Sequence, residues 1–246
     1  MLLLMVVLGI SGCGSNQAID IATGEEEPQS AQQLISLGDK ERAARRYDTA
    51  ALLYGLVEQW FPLDEQAPDA QLIAAYCFYQ DRDYNNTIAT LDRYIFLHPV
   101  NHKTEYAYYL KAITYYDQVP DIFRDQWVTQ ETLTAFDDFL ERYPNSRYGD
   151  DVRKKRREIR GQLAAQNMVV GRYYLQSGNY LAAYNRFRMI SLDFTDTNQA
   201  PEAYFRLIET TLALSLRTEA LEHYQVLQNE YGDNEWTARA NKLVGI

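Results

Sequence analysis

The chain has 246 residues, enough for one large domain or two small ones with a buried core. A hydrophobic share of 46%, a charged share of 24% and only 12 Gly and 7 Pro exclude a collagenous, low-complexity or wholly disordered protein. With 24 basic against 34 acidic residues the net charge is −10, which argues against a nucleic-acid partner because phosphate binding needs a basic face. Two cysteines cannot form a disulfide framework, and the longest apolar run, which ends at Leu8, is far short of the ~20 residues that span a bilayer. Few turn-formers, no strand-like alternation and 20 tyrosines favour a helical protein with heavy aromatic packing.

In chain order, residues 1–12 have the apolar stretch and small-residue end of a signal peptide, although no Lys or Arg precedes the apolar run. Ile10-Ser11-Gly12-Cys13 resembles a bacterial lipobox, which implies cleavage before Cys13 and acylation of that residue by S-diacylglycerol and an N-acyl chain. Two or more acyl chains give durable membrane anchoring where one gives only marginal binding. By the same resemblance Gly14, standing where Asp would retain a lipoprotein at the inner membrane, implies the outer membrane. Residues 13–30 lack a periodic apolar face and read as a flexible lipidated tether.

From residue 31 a pattern recurs: an aromatic, a small residue three on, an aromatic or Leu four later, an aliphatic or aromatic three later, then Pro. Tyr47, Ala50, Tyr54, Val57 and Pro62 give the full form, and Tyr84, Thr87, Leu91, Tyr94 and Pro99 follow it. Thr132, Phe136, Phe139 and Pro144 form the third copy, Tyr180, Ala183, Phe187 and Ile190 the fourth, and Ala220, Tyr224 and Leu227 the fifth. Thr195 and Gly232 stand in the last two copies where Pro ended the earlier ones. Steps of three and four place each set on one helical stripe. A second amphipathic segment precedes every stripe: Leu34–Arg45, Asp69–Tyr79, Glu105–Tyr116, Met168–Leu175 and Glu202–Leu214.

The spacing predicts an all-α, right-handed superhelical solenoid of five helix pairs resembling tetratricopeptide (TPR) repeats. Residues 31–144 hold repeats 1–3 and residues 145–246 hold repeats 4 and 5 with a long connecting helix, capped at Asn145 or Ser146 with Asp150 and Asp151 in its first turn. An extra segment, Asp117–Val128, separates the helices of the third pair.

No Gly-rich phosphate loop, HExxH or G-x-S-x-G is present, so the chain reads as a non-enzyme with no catalytic residue, metal or cofactor. His98 and His102 flank a turn proline and read as solvated, and Cys77 lies on an apolar helix face and reads as inert. Projection onto stacked pairs turns Tyr76, Tyr79, Tyr106, Tyr109 and Tyr116 toward the hollow, as a peptide groove or as inter-helix packing. Residues 147–172 carry 8 basic and 3 acidic groups, hence +5, which reads either as a solvated helix or as a docking surface for acidic partners or lipid. Asn185, Arg186 and Arg188 form a second candidate interface.

The whole chain resembles the BamD (ComL/YfiO) family of the outer-membrane β-barrel assembly (BAM) machinery. The resemblance rests on Phe139-x-x-Arg142-Tyr143-Pro144-Asn145-Ser146-x-Tyr148, on Gly171-Arg172-Tyr173-Tyr174-Leu175 and on Gly178-x-Tyr180-x-Ala182-Ala183-x-Asn185-Arg186. Pro201-Glu202-Ala203 and the Arg124-Asp125-Gln126 loop complete it. It implies an adaptor lipid-anchored at the periplasmic face of the outer membrane, whose partners are a BamA POTRA domain, other BAM lipoproteins and unfolded barrel proteins. Arg186 matches the family's BamA-contacting arginine, Asn185, Arg188 and Arg124 belong to the same partner-binding set, and the N-terminal repeats would receive barrel targeting segments. A pilus-assembly pilotin or a cell-wall enzyme adaptor is the alternative for a TPR lipoprotein.

Overall fold

The computed structural model describes residues 13–119 and 126–245. Among them the chain forms twelve helices and no strand: α1 (Cys13–Thr23), α2 (Ala31–Ala43), α3 (Tyr47–Trp60), α4 (Ala67–Gln80), α5 (Tyr84–Leu97), α6 (Thr104–Tyr116), α7 (Gln126–Arg142), α8 (Gly149–Gln176), α9 (Tyr180–Asp193), α10 (Ala200–Ala213), α11 (Arg217–Tyr231) and α12 (Glu235–Val244). The fold is all-α, and α2 to α11 are the five expected pairs. Two compact units share them: residues up to 118 with 134–146, and 119–133 with 147 onward. In the first unit, packing runs in sequence order from α2 to α6, and in the second from α8 to α11. First helices of adjacent pairs also touch, α2 on α4, α4 on α6 and α8 on α10.

The recurring stripe is the core. The small residues Ala50, Thr87, Thr132, Ala183 and Ala220 are all fully buried. So are Tyr54, Leu91, Phe136 and Phe187 one turn later, with Tyr224 nearly so, and Val57, Tyr94, Phe139, Ile190 and Leu227 beyond them. Thr replaces Ala at two of these positions without leaving an orphan hydroxyl. Thr87 Oγ1 donates to the Asp83 carbonyl and Thr132 Oγ1 to the Val128 carbonyl, each at 2.8 Å. Gly38 and Gly171 on the first helices serve the same close approach. A Cβ at Gly38 would lie 3.0 Å from the Tyr54 ring, and one at Gly171 only 2.5 Å from Phe187.

The turns inside the pairs repeat as faithfully as the core. Arg45, Arg82, Gly178 and Ser215, each two residues before its second helix, all have φ between 60° and 75°. The next amide in each turn reaches back five residues, Arg46 to Glu41, Asp83 to Phe78, Asn179 to Tyr174 and Leu216 to Thr211. This left-handed closure satisfies the last carbonyls of the first helix. Only one of the four positions is glycine, so three pairs hold an L-residue in a conformation that costs it about 1 kcal/mol. Asp83 and Asn179 then cap α5 and α9.

Helix ends differ from expectation in three places. The segment expected to be a tether includes α1, whose Ala18 and Ile21 are buried in the same cluster as Leu34, Leu53 and Tyr54. Two apolar residues three apart are enough to seat a short helix on α3, but too few to register as a periodic face. Second, α8 is one helix of 28 residues starting at Gly149, with Asp150 and Asp151 in its first turn but no side-chain cap. Ser146, an expected cap, instead donates its hydroxyl to the Glu105 carboxylate. Third, α12 follows the fifth pair, capped by Asn234 and packing Trp236, Ala240 and Val244 onto Phe205 and Tyr224. At the two places without Pro, α9 stops at Asp193, and α11 stops at Tyr231, where Gly232 turns the backbone out of the helix through a φ of 62°.

Two substitutions probe this packing with opposite signs. Arg82→Gly should raise the urea midpoint by the equivalent of about 1 kcal/mol, because it relieves a left-handed L-residue. Gly171→Ala should lower it by about 1 kcal/mol or more, because overpacking against Phe187 outweighs the helix propensity gained.

Candidate functional site

In the first unit the tyrosines of α4 and α6 collect on one side. Tyr76, Tyr79 and Tyr106 pack against the buried cluster of Leu72, Leu91, Tyr94 and Leu110. Tyr109 meets Tyr106 at 6.3 Å and Phe139 at 6.2 Å between ring centroids, and Tyr116 meets Phe136 at 6.0 Å. All five expected groove tyrosines are half-buried. Each therefore contributes to inter-helix packing and also keeps part of its surface open, which combines the two readings that spacing alone left apart. Tyr79 is fixed further, since its hydroxyl donates to Asp117 Oδ2 at 2.6 Å and burial pushes its pKa well above the ordinary phenol value. The surface is aromatic with hydroxyl edges, suited to apolar or aromatic segments.

In the second unit α9 presents Leu181, Asn185, Arg188 and Leu192, at steps of four, three and four, as an exposed stripe. Leu181 and Leu192 are each 62% exposed. Arg186 lies to one side, half-buried, its Nη1 3.4 Å from Asn167 Oδ1 on α8. On α8, Val169 and Tyr173 are also exposed, one turn apart. An arginine whose guanidinium is steadied by a neighbouring helix, beside apolar side chains that lack a cover, has the composition of a protein-binding surface. Arg124 lies outside the described residues, and so does the side chain of Cys13, whose backbone begins α1.

The basic stretch of α8 is largely answered from within. Arg153 pairs with Asp150 at 2.8 Å and Lys155 with Asp151 at 2.5 Å, one turn away on the same helix. Arg160 clamps Asp196 at 2.5 Å and also binds the Asp193 carbonyl, holding the Asp196 carboxyl below its ordinary pKa. Lys154 and Arg157 remain exposed. Because Asp150 and Asp151 are already counted in the +5, their pairs leave it unchanged, and the counter-ions from outside the stretch are Asp196 for Arg160 and Glu202 for Arg172.

Sequence reasoning missed a buried carboxylate. Glu202, 6% exposed in the first turn of α10, accepts from Arg172 Nε at 2.9 Å and Arg206 Nε at 3.1 Å. Arg206 and Arg239 stack on the Phe205 and Trp236 rings within 5.7 Å. Arg172 and Glu202 were legible as motif residues, but nothing in their spacing, 30 apart, announced that they pair. Cys77 is buried and its thiol pKa is pushed up to about 11 by that burial. Among the described residues no three His, Cys, Asp or Glu are grouped to hold a metal ion, and no helix is long and apolar enough to cross a membrane.

Residues 27–227 match the family described as YfiO, outer membrane lipoprotein. The chain belongs to the BamD (YfiO) family. It is 34% identical over 240 residues to the outer membrane protein assembly factor BamD of Caulobacter vibrioides, covering 98% of this chain and 78% of that protein. It is 32% identical to the BamD of Rickettsia prowazekii, over 98% and 94% of the two chains, and 28% identical to that of Neisseria meningitidis serogroup B, over 88% of each. Among solved structures, a TPR protein of Thermus thermophilus overlays with a TM-score of 0.39 at 19% identity, covering 88% and 100% of the chains. The TPR2AB domain of yeast Sti1 gives 0.43 at 15%, covering 87% and 84%. These overlays are loose, and it is the succession of helix pairs within this chain that defines its fold. Like the rest of its family, the chain is a non-catalytic, adaptor-type protein.

The second unit should also respond to pH through one histidine. His223 on α11 sits between the rings of Tyr184 and Tyr204, at 6.2 and 6.4 Å, and its buried Nε2 has no hydrogen-bond partner. Burial lowers its pKa from the ordinary 6.5. The neutral ring is thus the form the fold accepts, so its contribution is complete above about pH 6.5 and is lost as pH falls through the lower folded value. The urea midpoint should drop between pH 7 and 5, and His223→Phe should flatten that drop. Losses tied to Asp196, whose pKa is also lowered, appear only below the ordinary carboxylate range.

Proposed function

We propose that the chain is the BamD subunit of a BAM complex, an adaptor anchored to the outer membrane through an acylated Cys13. Its second unit would hold a POTRA domain of BamA through Arg186, Asn185 and Arg188. Its first unit would receive the targeting segments of unfolded barrel proteins on the surface of Tyr76, Tyr79, Tyr106, Tyr109 and Tyr116. The observation that carries the reading is the end-to-end match to assembly factors, 98% of this chain at 34% identity. The exposed apolar stripe around Arg188 and the half-open tyrosines support the assignment of faces. An aromatic surface with hydroxyl edges suits a barrel strand, in which apolar and polar side chains alternate.

Affinity purification from detergent-solubilised envelope tests it. Arg186→Glu should reduce recovery of BamA at least about tenfold, since reversing an interfacial charge leaves its partner unpaired. Helicity should be unchanged, and Lys154→Glu, on the exposed basic helix, should leave recovery intact. Tyr76→Ala with Tyr109→Ala should reduce crosslinking to barrel C-terminal peptides without affecting BamA. Full recovery of BamA with Arg186→Glu would remove Arg186 from the interface, and recovery of secretin or peptidoglycan hydrolases in place of BamA would overturn the reading.

A further inference from the structure

The side of α4 turned away from the tyrosines lines a different feature. Residues 71, 74 and 78 lie roughly 130° around the helix from 72, 76 and 79. There, between α3 and α5 with α4 as its floor, runs an open groove of about 360 Å³. Small residues, Ala51 and Gly55 on α3, Ala74 on the floor and Ala89 on α5, share its lining with larger apolar side chains and a polar edge. A Cβ placed on Gly55 would meet no atom within 4 Å.

Gln71 also lines this groove, and it is only 2% exposed. Neither its Oε1 nor its Nε2 has a hydrogen-bond partner. A buried carboxamide with both halves unmade is costly, and leucine would fill the same space without that cost. The charges at the groove, Glu58 and Arg93, are paired with each other at 2.7 Å, so a charged ligand would find no counter-ion. Both atoms are closed to solvent, so a ligand meets them only when the Gln71 side chain turns into the groove, and what then matches an acceptor and a donor side by side is another amide, with one N–H and one C=O adjacent.

We propose that this groove binds a short, neutral, extended segment of a partner polypeptide, which pairs an amide group with Gln71 and lays an apolar side chain over Ala51, Gly55 and Ala74. The volume is at the small end of ligand sites and holds a few side chains rather than a helix. The site is separate from the tyrosine surface and does not depend on the barrel-assembly reading.

The full chain titrated with the capped peptide Ac-Ala-Phe-Asn-Val-Ala-NH2 tests the proposal, with backbone amide NMR signals as readout. Saturable shifts should centre on Gly55, Ala74 and Ala89, and an Asp-for-Asn peptide should bind more weakly. Gln71→Leu should raise the unfolding midpoint yet weaken peptide binding about tenfold. Gly55→Leu, whose side chain enters open space within α3, should not lower the midpoint and should abolish binding. Absence of saturable shifts in the native chain, or equal binding by both variants, overturns the proposal. So does a lowered midpoint for Gln71→Leu, which would mean the amide is paired within the protein. Shifts that follow protein concentration without peptide would assign the groove to a second copy and overturn it equally.

Discussion

The closest constraint in this molecule is the distance at which two helices of a pair can meet. Gly38 admits the Tyr54 ring and Gly171 the Phe187 ring of the partner helix, while Thr87 and Thr132 bury their hydroxyls by bonding the carbonyl four residues back. Close-packed interiors leave no slack for an additional methyl group at such a point. The register of every turn and the spacing between pairs follow from it. The same contact, Gly171 against Phe187, sits directly beneath the surface that carries Asn185, Arg186 and Arg188.

Much of this was readable from residue order because it depends on periodicity. The five small positions and their aromatic followers are separated by helical steps, and all are buried. What escaped had no period to give it away. Helix α1 is seated by Ala18 and Ile21 with Ala22 beside them, and α12 is a single amphipathic helix after the last copy, with no partner stripe to repeat. Ser146 looked like a cap because of its type and place, but α8 begins only at Gly149, with Tyr148 at the cap position, and Ser146 donates its hydroxyl to Glu105. The tyrosine surface was found by projection, yet spacing could not say how far each ring would sink; all five settled half-way.

The motif residues that mark the family turn out to have two kinds of work. Gly171 admits the Phe187 ring, Arg172 reaches Glu202, and Pro201 and Ala203 set the start of α10, so these are fixed by folding. Asn185 and Arg188 touch nothing that needs them for packing and face outward. Residues of the second kind are where a partner can be read, and those of the first hold them in place. The basic run of α8 shows what composition leaves out, since its charge read equally as a solvated helix or a docking surface, and geometry adds the pairings with Asp150, Asp151 and Asp196.

Helix α1 changes what attachment at its first residue would mean mechanically. An unstructured leader of 18 residues wanders over about 24 Å root-mean-square, so a body on such a leash samples many orientations. Eleven helical residues instead make a strut of about 16 Å, and this strut is docked on α3. A surface holding Cys13 would thus hold the first helix pair at a fixed stand-off, with little freedom to swing.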